Sequence, residues 1–276
     1  MLESNQVQPV ISSVVTPVAL EGFKTPLLNK YTGAAAAYSL RRLKSWDDGK
    51  RVVEVRRSSD STTQDFTASQ ITNGDLVAFC GAGDGFVSTW YDQSGNANDA
   101  TQATTTSQPK IVDAGVLLNE IKFDGADDVL NFTEIDFSTN SWMLSAVVDW
   151  DGSLSPVVGG SISQWSLQVA TSDNFSSRAT SDNTIHNFDP TASIVIGDGL
   201  FTVQRSSDVL SGYYDGVFDD AAPAITAASE FKADKIGQRG SFYGSSGVKE
   251  IIIYQSDQSA NRAGIEANIN DFYSIY

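Results

Sequence analysis

The residues best equipped for chemistry in this sequence lie in three places. The first is the run Trp90-Tyr91-Asp92-Gln93-Ser94-Gly95-Asn96-Ala97-Asn98-Asp99, which sets carboxylate, amide and hydroxyl oxygens beside two aromatic rings. Sugar hydroxyls and sugar faces are met by that mixture, so Trp90, Tyr91, Asp92, Asn96 and Asp99 are the ligand-binding candidates. The same spacing supports a turn without a ligand, in which Asp92, Ser94 and Asn96 bond their own backbone and Gly95 takes a positive φ. The second place is Phe123-Asp124-Gly125-Ala126-Asp127-Asp128. Asp124, Asp127 and Asp128 offer oxygens to calcium, a hard cation taking six to eight of them. Their spacing is not that of an EF-hand, and on a strand Asp127 and Asp128 would point to opposite faces. The third place is a pair of singletons, His186 and Cys80. One histidine excludes a multi-histidine metal site, and without a nucleophile motif nearby it reads as a loop imidazole. One cysteine excludes an internal disulfide framework and reads as a small core residue. The glycine-rich stretch Gly81-Ala82-Gly83-Asp84-Gly85 lacks the Lys-Ser/Thr of a phosphate loop.

Charge narrows the partners. Lys and Arg number 18 against 34 Asp and Glu, a net −16. Nucleic-acid binding needs a basic footprint. The one basic cluster, Arg41, Arg42, Lys44, Arg51, Arg56 and Arg57, is offset by Asp47, Asp48 and Glu54. No segment approaches 18 uninterrupted apolar residues, so no membrane span is expected. Met1-Leu2-Glu3-Ser4-Asn5 lacks the basic start and apolar run of an export signal. With a body rich in Ser, Thr, Asn, Asp and Gly, this composition points to a virion or extracellular setting.

The elements that must carry these residues are β-strands. Short runs such as Val52–Arg57, Phe86–Tyr91, Trp142–Trp150, Trp165–Ala170, Gly199–Arg205, Ile236–Gly237 and Val248–Tyr254 are each bounded by turn residues. Many short strands without alternating long helices predict an all-β sandwich. The apolar end of Gly247–Tyr254 predicts a strand buried on both faces. Helices are expected near Thr72–Cys80 and from Ser259, as cap, to Tyr273. Residues 1–33 differ from the rest. Val10, Ile11, Val14, Val15, Val18, Leu20, Phe23, Leu27 and Leu28 are broken by Pro9, Pro17 and Pro26. Such spacing forbids a long helix. The expectation is an extended arm over 1–33, lying in a groove of its own or of a neighbour, and a sandwich domain over 34–276.

The Asp92–Asp99 loop, the Phe123–Asp128 turn, and the late Val248–Tyr254 strand followed by a helix resemble, in that order, laminin-G-like domains of the concanavalin A superfamily. Tyr38-Ser39-Leu40-Arg41-Arg42-Leu43, Val55-Arg56-Arg57-Ser58-Ser59-Asp60, Tyr91–Asn96, Tyr214-Asp215-Gly216-Val217, Ile236-Gly237, Ser241-Phe242-Tyr243 and Glu266-Ala267-Asn268-Ile269 are similar to the catalytic domain of α-L-arabinofuranosidase B. The resemblance implies a concanavalin A-like jelly roll. That family retains configuration, which needs a nucleophilic carboxylate and an acid/base carboxylate roughly 5 Å apart. Its nucleophile is a Glu in V-D-M-E-N-N-L-F-S; the matching stretch, Val169–Phe175, places Ser172 there. Its acid/base Asp follows an I-G-G strand; here Ile236-Gly237-Gln238 is followed by Arg239. The family's adjacent cysteines are missing. A hydroxyl and a guanidinium cannot carry out double displacement, so the resemblance implies an inactive site. In a slipped register Asp173 would be nucleophile and Asp215 or Asp234 the acid.

Domains of this kind also resemble ones in phage virion proteins, where a short apolar leader like residues 18–38 precedes them. The expectation is a non-catalytic virion structural or attachment protein with a lectin-like jelly roll. It would bind other virion subunits through residues 1–30, form a homo-oligomer and meet a host-surface glycan. The alternatives are an active arabinofuranosidase-type hydrolase and a calcium-dependent carbohydrate-binding module.

Overall fold

The computed structural model describes residues 25–45, 49–138, 141–161, 164–170, 174–179, 184–190, 193–221, 225 and 230–276. Alternation dictates the layout. In Trp142–Trp150 the side chains of Trp142, Leu144, Ala146, Val148 and Trp150 enter one apolar cluster, while Met143 and Val147 enter another on the opposite face. Gly247–Tyr254 does the same: Val248, Ile251 and Ile253 face the first cluster, Ile252 and Tyr254 the second. These strands are buried on both faces, as the apolar run at 251–254 predicts.

Trp142–Trp150 sits between Gly197–Ser206 and Gly247–Tyr254, all antiparallel. Val209–Tyr214 and Val217–Ala221 extend one side of this layer, and Ala36–Ser39 the other. The facing layer runs from Thr63–Thr67 through Arg51–Arg57, Gly85–Trp90, Ala100–Thr101, Leu130–Ser138, Phe231–Ile236, Ser155–Gly159, Trp165–Val169 and Phe175–Arg178 to Ile185–Phe188. Lys110–Asp113 and Val116–Lys122 stitch the layers together. The first cluster fills the space between them, and the architecture is a jelly-roll β-sandwich. Burying a large apolar side chain there contributes roughly 1.5–3 kcal/mol.

The second cluster lies outside the sandwich, beneath the helix Arg262–Tyr273 and the short helix Leu27–Lys30. Ile265 and Ile269 pack there with Leu27, Leu28, Ala37, Leu43 and Leu200. The C-terminal helix starts later than its sequence suggests. Asn261 precedes it without a side-chain cap, and the Ser259 amide instead donates to Asp257 Oδ1 at 2.9 Å. Leu27–Lys30, at the end of the predicted arm, is helical rather than extended, with Leu27 and Leu28 buried; residues 1–24 of that arm lie outside the described residues. The single helix expected near Thr72–Cys80 is two, Ala68–Thr72 and Asp75–Cys80, separated by Gly74 at φ 93°. Thr67 and Gln70 form a capping box at the first. Cys80 is a core residue, its thiol pushed up to about 11 by burial.

Further strand boundaries differ for local reasons. The strand Ala36–Ser39 leaves its ladder after Ser39, where the buried Gln93 side chain takes over. Its Nε2 donates to the carbonyls of Ser39 and Arg41, and its Oε1 accepts from the Leu43 amide. The run at Ile236–Gly237 belongs to a longer strand, Phe231–Ile236, that contains Asp234 rather than following it. Gly237 ends that strand at φ 82°, where a Cβ would fall 2.3 Å from the Phe123 ring. His186 is not a loop imidazole. It sits on Ile185–Phe188, buried, opposite Ser177 and near Phe231. Among the described residues no helix is long and apolar enough to cross a membrane.

Candidate functional site

The loop from Trp90 to Asp99 turns its polar atoms inward. Asp92 Oδ1 accepts from the amides of Ala37 and Ser94, each at 2.8 Å, and its Oδ2 accepts from Ser94 Oγ at 2.6 Å and the Asn98 amide at 3.1 Å. Asp99 Oδ1 accepts from the Asp92 amide. Asn96 Nδ2 donates to the carbonyls of Ala34 and Ala35. The carboxylates thereby fasten the edge strand Ala36–Ser39 to the domain, and Gly95 has the positive φ the turn demands, 102°. Trp90 is fully buried against Tyr38. Tyr91 is covered by the Arg51 guanidinium, 4.1 Å from its ring centre, and its hydroxyl donates to Asp65. Asn96 lines a shallow depression of about 360 Å³ beside Asn98 and Thr133, and Asp92 a smaller one of about 80 Å³ beside Lys44, Lys50 and Arg51.

Asp124, Asp127 and Asp128 do converge, because they occupy a turn rather than a strand. One oxygen from each lies within 4.8 Å of the others. Asp124 Oδ1 accepts from the amides of Ala126, Asp127 and Asp128, Asp128 Oδ2 from the Asp124 amide, and Asp127 Oδ2 from Ser107 Oγ. One further oxygen per carboxylate remains, a donor set that fits a hard cation only if water completes it. Burial, then the charges of Asp124 and Asp127, push Asp128 up to about 7. Asp124 and Asp128 line a groove of about 660 Å³ with Lys110, Glu120, Lys122 and Phe123. Burial and a hydrogen bond with Asp149 likewise raise Glu120 to about 7. Glu120 and Asp149 thus form a hydrogen-bonded carboxyl pair.

The remaining carboxylates are dispersed. Ser172 and Asp173 lie outside the described residues. Asp215, at φ 50° in the turn after Val209–Tyr214, accepts from the Leu200 amide at 2.9 Å, and burial raises its pKa. Asp234, on Phe231–Ile236, accepts from the amide and Oγ of Ser161. The two share no partner.

Arg239 stands elsewhere, on a two-stranded ribbon formed by Gln238–Arg239 and Phe242–Tyr243. Its guanidinium lies 4.3 Å from the Trp165 ring centre and 4.4 Å from that of Phe242, and its Nε donates to Gln168 Oε1. Arg178, the cross-strand partner of Trp165, brings a second guanidinium to 5.4 Å from the same indole. Trp165 is itself anchored by Nε1 to Ser176 Oγ at 3.1 Å. Burial, then the Arg178 charge, lower the pKa of Arg239. Sequence reading found Arg239 but not Trp165, Gln168, Arg178 or Phe242. Only the register joining their strands brings them together.

This jelly-roll sandwich is an arabinofuranosidase-like fold. It is similar to a GH54 α-L-arabinofuranosidase soaked with a cyclic sulfate inhibitor, with a TM-score of 0.64 at 16% identity, and to an arabinofuranosidase complexed with arabinofuranosyl-α-1,2-xylobiose, with a TM-score of 0.61 at 17% identity. Each match covers 88% of this chain but 64% of the other, so the chain spans less than two thirds of the enzymes it resembles. No protein-family model and no curated protein sequence matches it.

Proposed function

We propose that this chain is a non-catalytic, lectin-like jelly-roll module that serves as a structural or attachment component of a phage-type virion. A fold supports many chemistries, so the reading stands on the site. The observation that carries it is Arg239: after the Ile236–Gly237 turn, where the resembling glycosidases place an acid, a guanidinium is packed between Trp165 and Phe242 and tied to Gln168. Such a group can bind a sugar but cannot protonate a leaving group. The test is turnover of 4-nitrophenyl α-L-arabinofuranoside beside binding to a glycan array. Binding without turnover is expected; turnover abolished by Asp173→Asn would establish the hydrolase instead, a reading favoured by the arabinofuranosidases among the structural neighbours.

Assembly into a particle and a homo-oligomer would use residues 1–24. The described chain begins beside a groove of about 430 Å³ lined by Arg41, Phe272 and Tyr273, where Asn268 Nδ2 donates to the Thr25 carbonyl. The apolar residues from Val10 to Phe23 suit that groove on a neighbouring copy. Because Leu27 and Leu28 belong to the core, the truncation that tests this removes residues 1–24 only. A folded monomer is expected; unchanged assembly would refute the role of the arm. Calcium, if it is used, is held by Asp124, Asp127 and Asp128, and a chelator would then lower the unfolding temperature.

A further inference from the structure

The face around Trp165 carries two guanidiniums on one indole. Antiparallel register sets Arg178 directly opposite Trp165. The ribbon then delivers Arg239 to the same ring. Like charges held this close, and partly buried, repel one another; burial first, and then the Arg178 charge, lower the pKa of Arg239 from its ordinary value. The chain has acids to spare, at a net −16, yet among the described residues Arg239 Nε donates to the neutral amide oxygen of Gln168. That bond occupies Nε and fixes the plane of the guanidinium. Its two terminal nitrogens keep the planar fork that grips a carboxylate with two parallel hydrogen bonds. Above it Phe242 is 53% exposed, an apolar surface for the C–H face of a pyranose.

We infer that Arg239 and Arg178, on the platform of Trp165 and beside Phe242, form a subsite for the carboxylate of a uronic-acid residue in a glycan. The inference rests on the carbohydrate-binding reading above and adds the ligand's charge to it. Phe242 takes the sugar ring, Arg239 the carboxylate, and Arg178 supplies the second positive charge.

The test is titration calorimetry of the full chain with oligogalacturonides, oligoglucuronides and oligomannuronates, each as the free acid and as its methyl ester, beside neutral arabino-oligosaccharides. Esterification removes the charge and keeps the sugar. At least one acid is expected to bind roughly tenfold or more tighter than its ester, with an advantage that shrinks as salt rises. Arg239→Met should abolish the difference between acid and ester, and Arg239→Lys should restore part of it. Circular dichroism of each variant reports whether the fold survives. Equal binding of acid and ester, or an acid preference untouched by Arg239→Met in a folded variant, overturns the subsite while leaving a neutral-glycan reading in place. Absence of binding to every saccharide removes both.

Discussion

Two arginines in this domain, Arg41 and Arg239, are both withdrawn from water and yet are treated in opposite ways. Around Arg41 burial works against the charge, but Glu250 outweighs it. Nε meets Oε2 at 2.7 Å and one terminal nitrogen meets Oε1 at 2.8 Å, and the pKa ends above the ordinary value. Asn268 accepts from both terminal nitrogens, and Ser39 and Tyr273 complete the surroundings of Glu250. Arg239 has an amide for a partner, two aromatic rings and another cation, and its pKa falls. A buried charge whose counter-charge lies within the fold ties elements together. One balanced, among the described residues, only by neutral groups leaves its field for something outside them. Arg41 locks the C-terminal helix and the edge strand to the sandwich, whereas Arg239 is the group to which the inferred subsite assigns the carboxylate.

The comparison breaks most visibly at Glu250. Glu250→Ala would strand a guanidinium whose side chain is 9% exposed, at a cost of about 3–5 kcal/mol. Urea denaturation measures it; a loss below 1 kcal/mol would mean that the pair locks nothing. Asp92→Ala comes next. It removes an acceptor of four hydrogen bonds that joins the loop to Ala36–Ser39, for roughly 2–3 kcal/mol. If Asp92 instead serves a ligand, the variant should keep wild-type stability and lose glycan binding.

A third effect is set by pH. In an unfolded chain Glu120 and Asp128 would ionise near 4; in the fold, burial first and neighbouring acids second hold both near 7. The folded state therefore binds more protons over that interval. The resulting stability is full below about pH 4 and is lost as pH rises through 7. Lys122 and Lys249 beside Glu120, and Lys110 beside Asp128, moderate the effect, leaving about 1–2 kcal/mol per group. The double variant Glu120→Gln, Asp128→Asn should gain on the wild type between pH 5 and 8 in urea midpoint. Parallel curves would show that these carboxyls are not perturbed.

How much of this was legible in the sequence depended on where each residue's partner lay. Gly247–Tyr254 was readable because three isoleucines in a row cannot face water, whichever side they take. Phe231–Ile236 was clipped to its last residue because Lys232, Asp234 and Lys235 look like loop, although they sit among the buried Phe231, Ala233 and Ile236 in a strand pattern. Ser259 looked like a cap, but Asp257 accepts its amide instead. At the candidate sites, residue type showed what Asp92 could do but not where it aimed. Its partner Ala37 is 55 positions away, and a donor that distant leaves no local trace. Arg178 and Trp165 meet through a register that no motif announces.

The smallest expected effect is the most discriminating. Arg239→Met keeps an unbranched apolar side chain at this position while deleting a charge that burial and Arg178 both disfavour. The lost cation–π attraction, about 0.5–2 kcal/mol, is offset by the removal of that repulsion and of the desolvation of the guanidinium. Stability should therefore stay within about 0.5 kcal/mol of wild type, against the large loss expected when the partner of Arg41 is removed. Equilibrium urea curves for the two variants, measured side by side, decide the matter. Should Arg239→Met prove as damaging as Glu250→Ala, Arg239 is a structural clamp like Arg41, and its place over Trp165 serves the fold rather than a ligand.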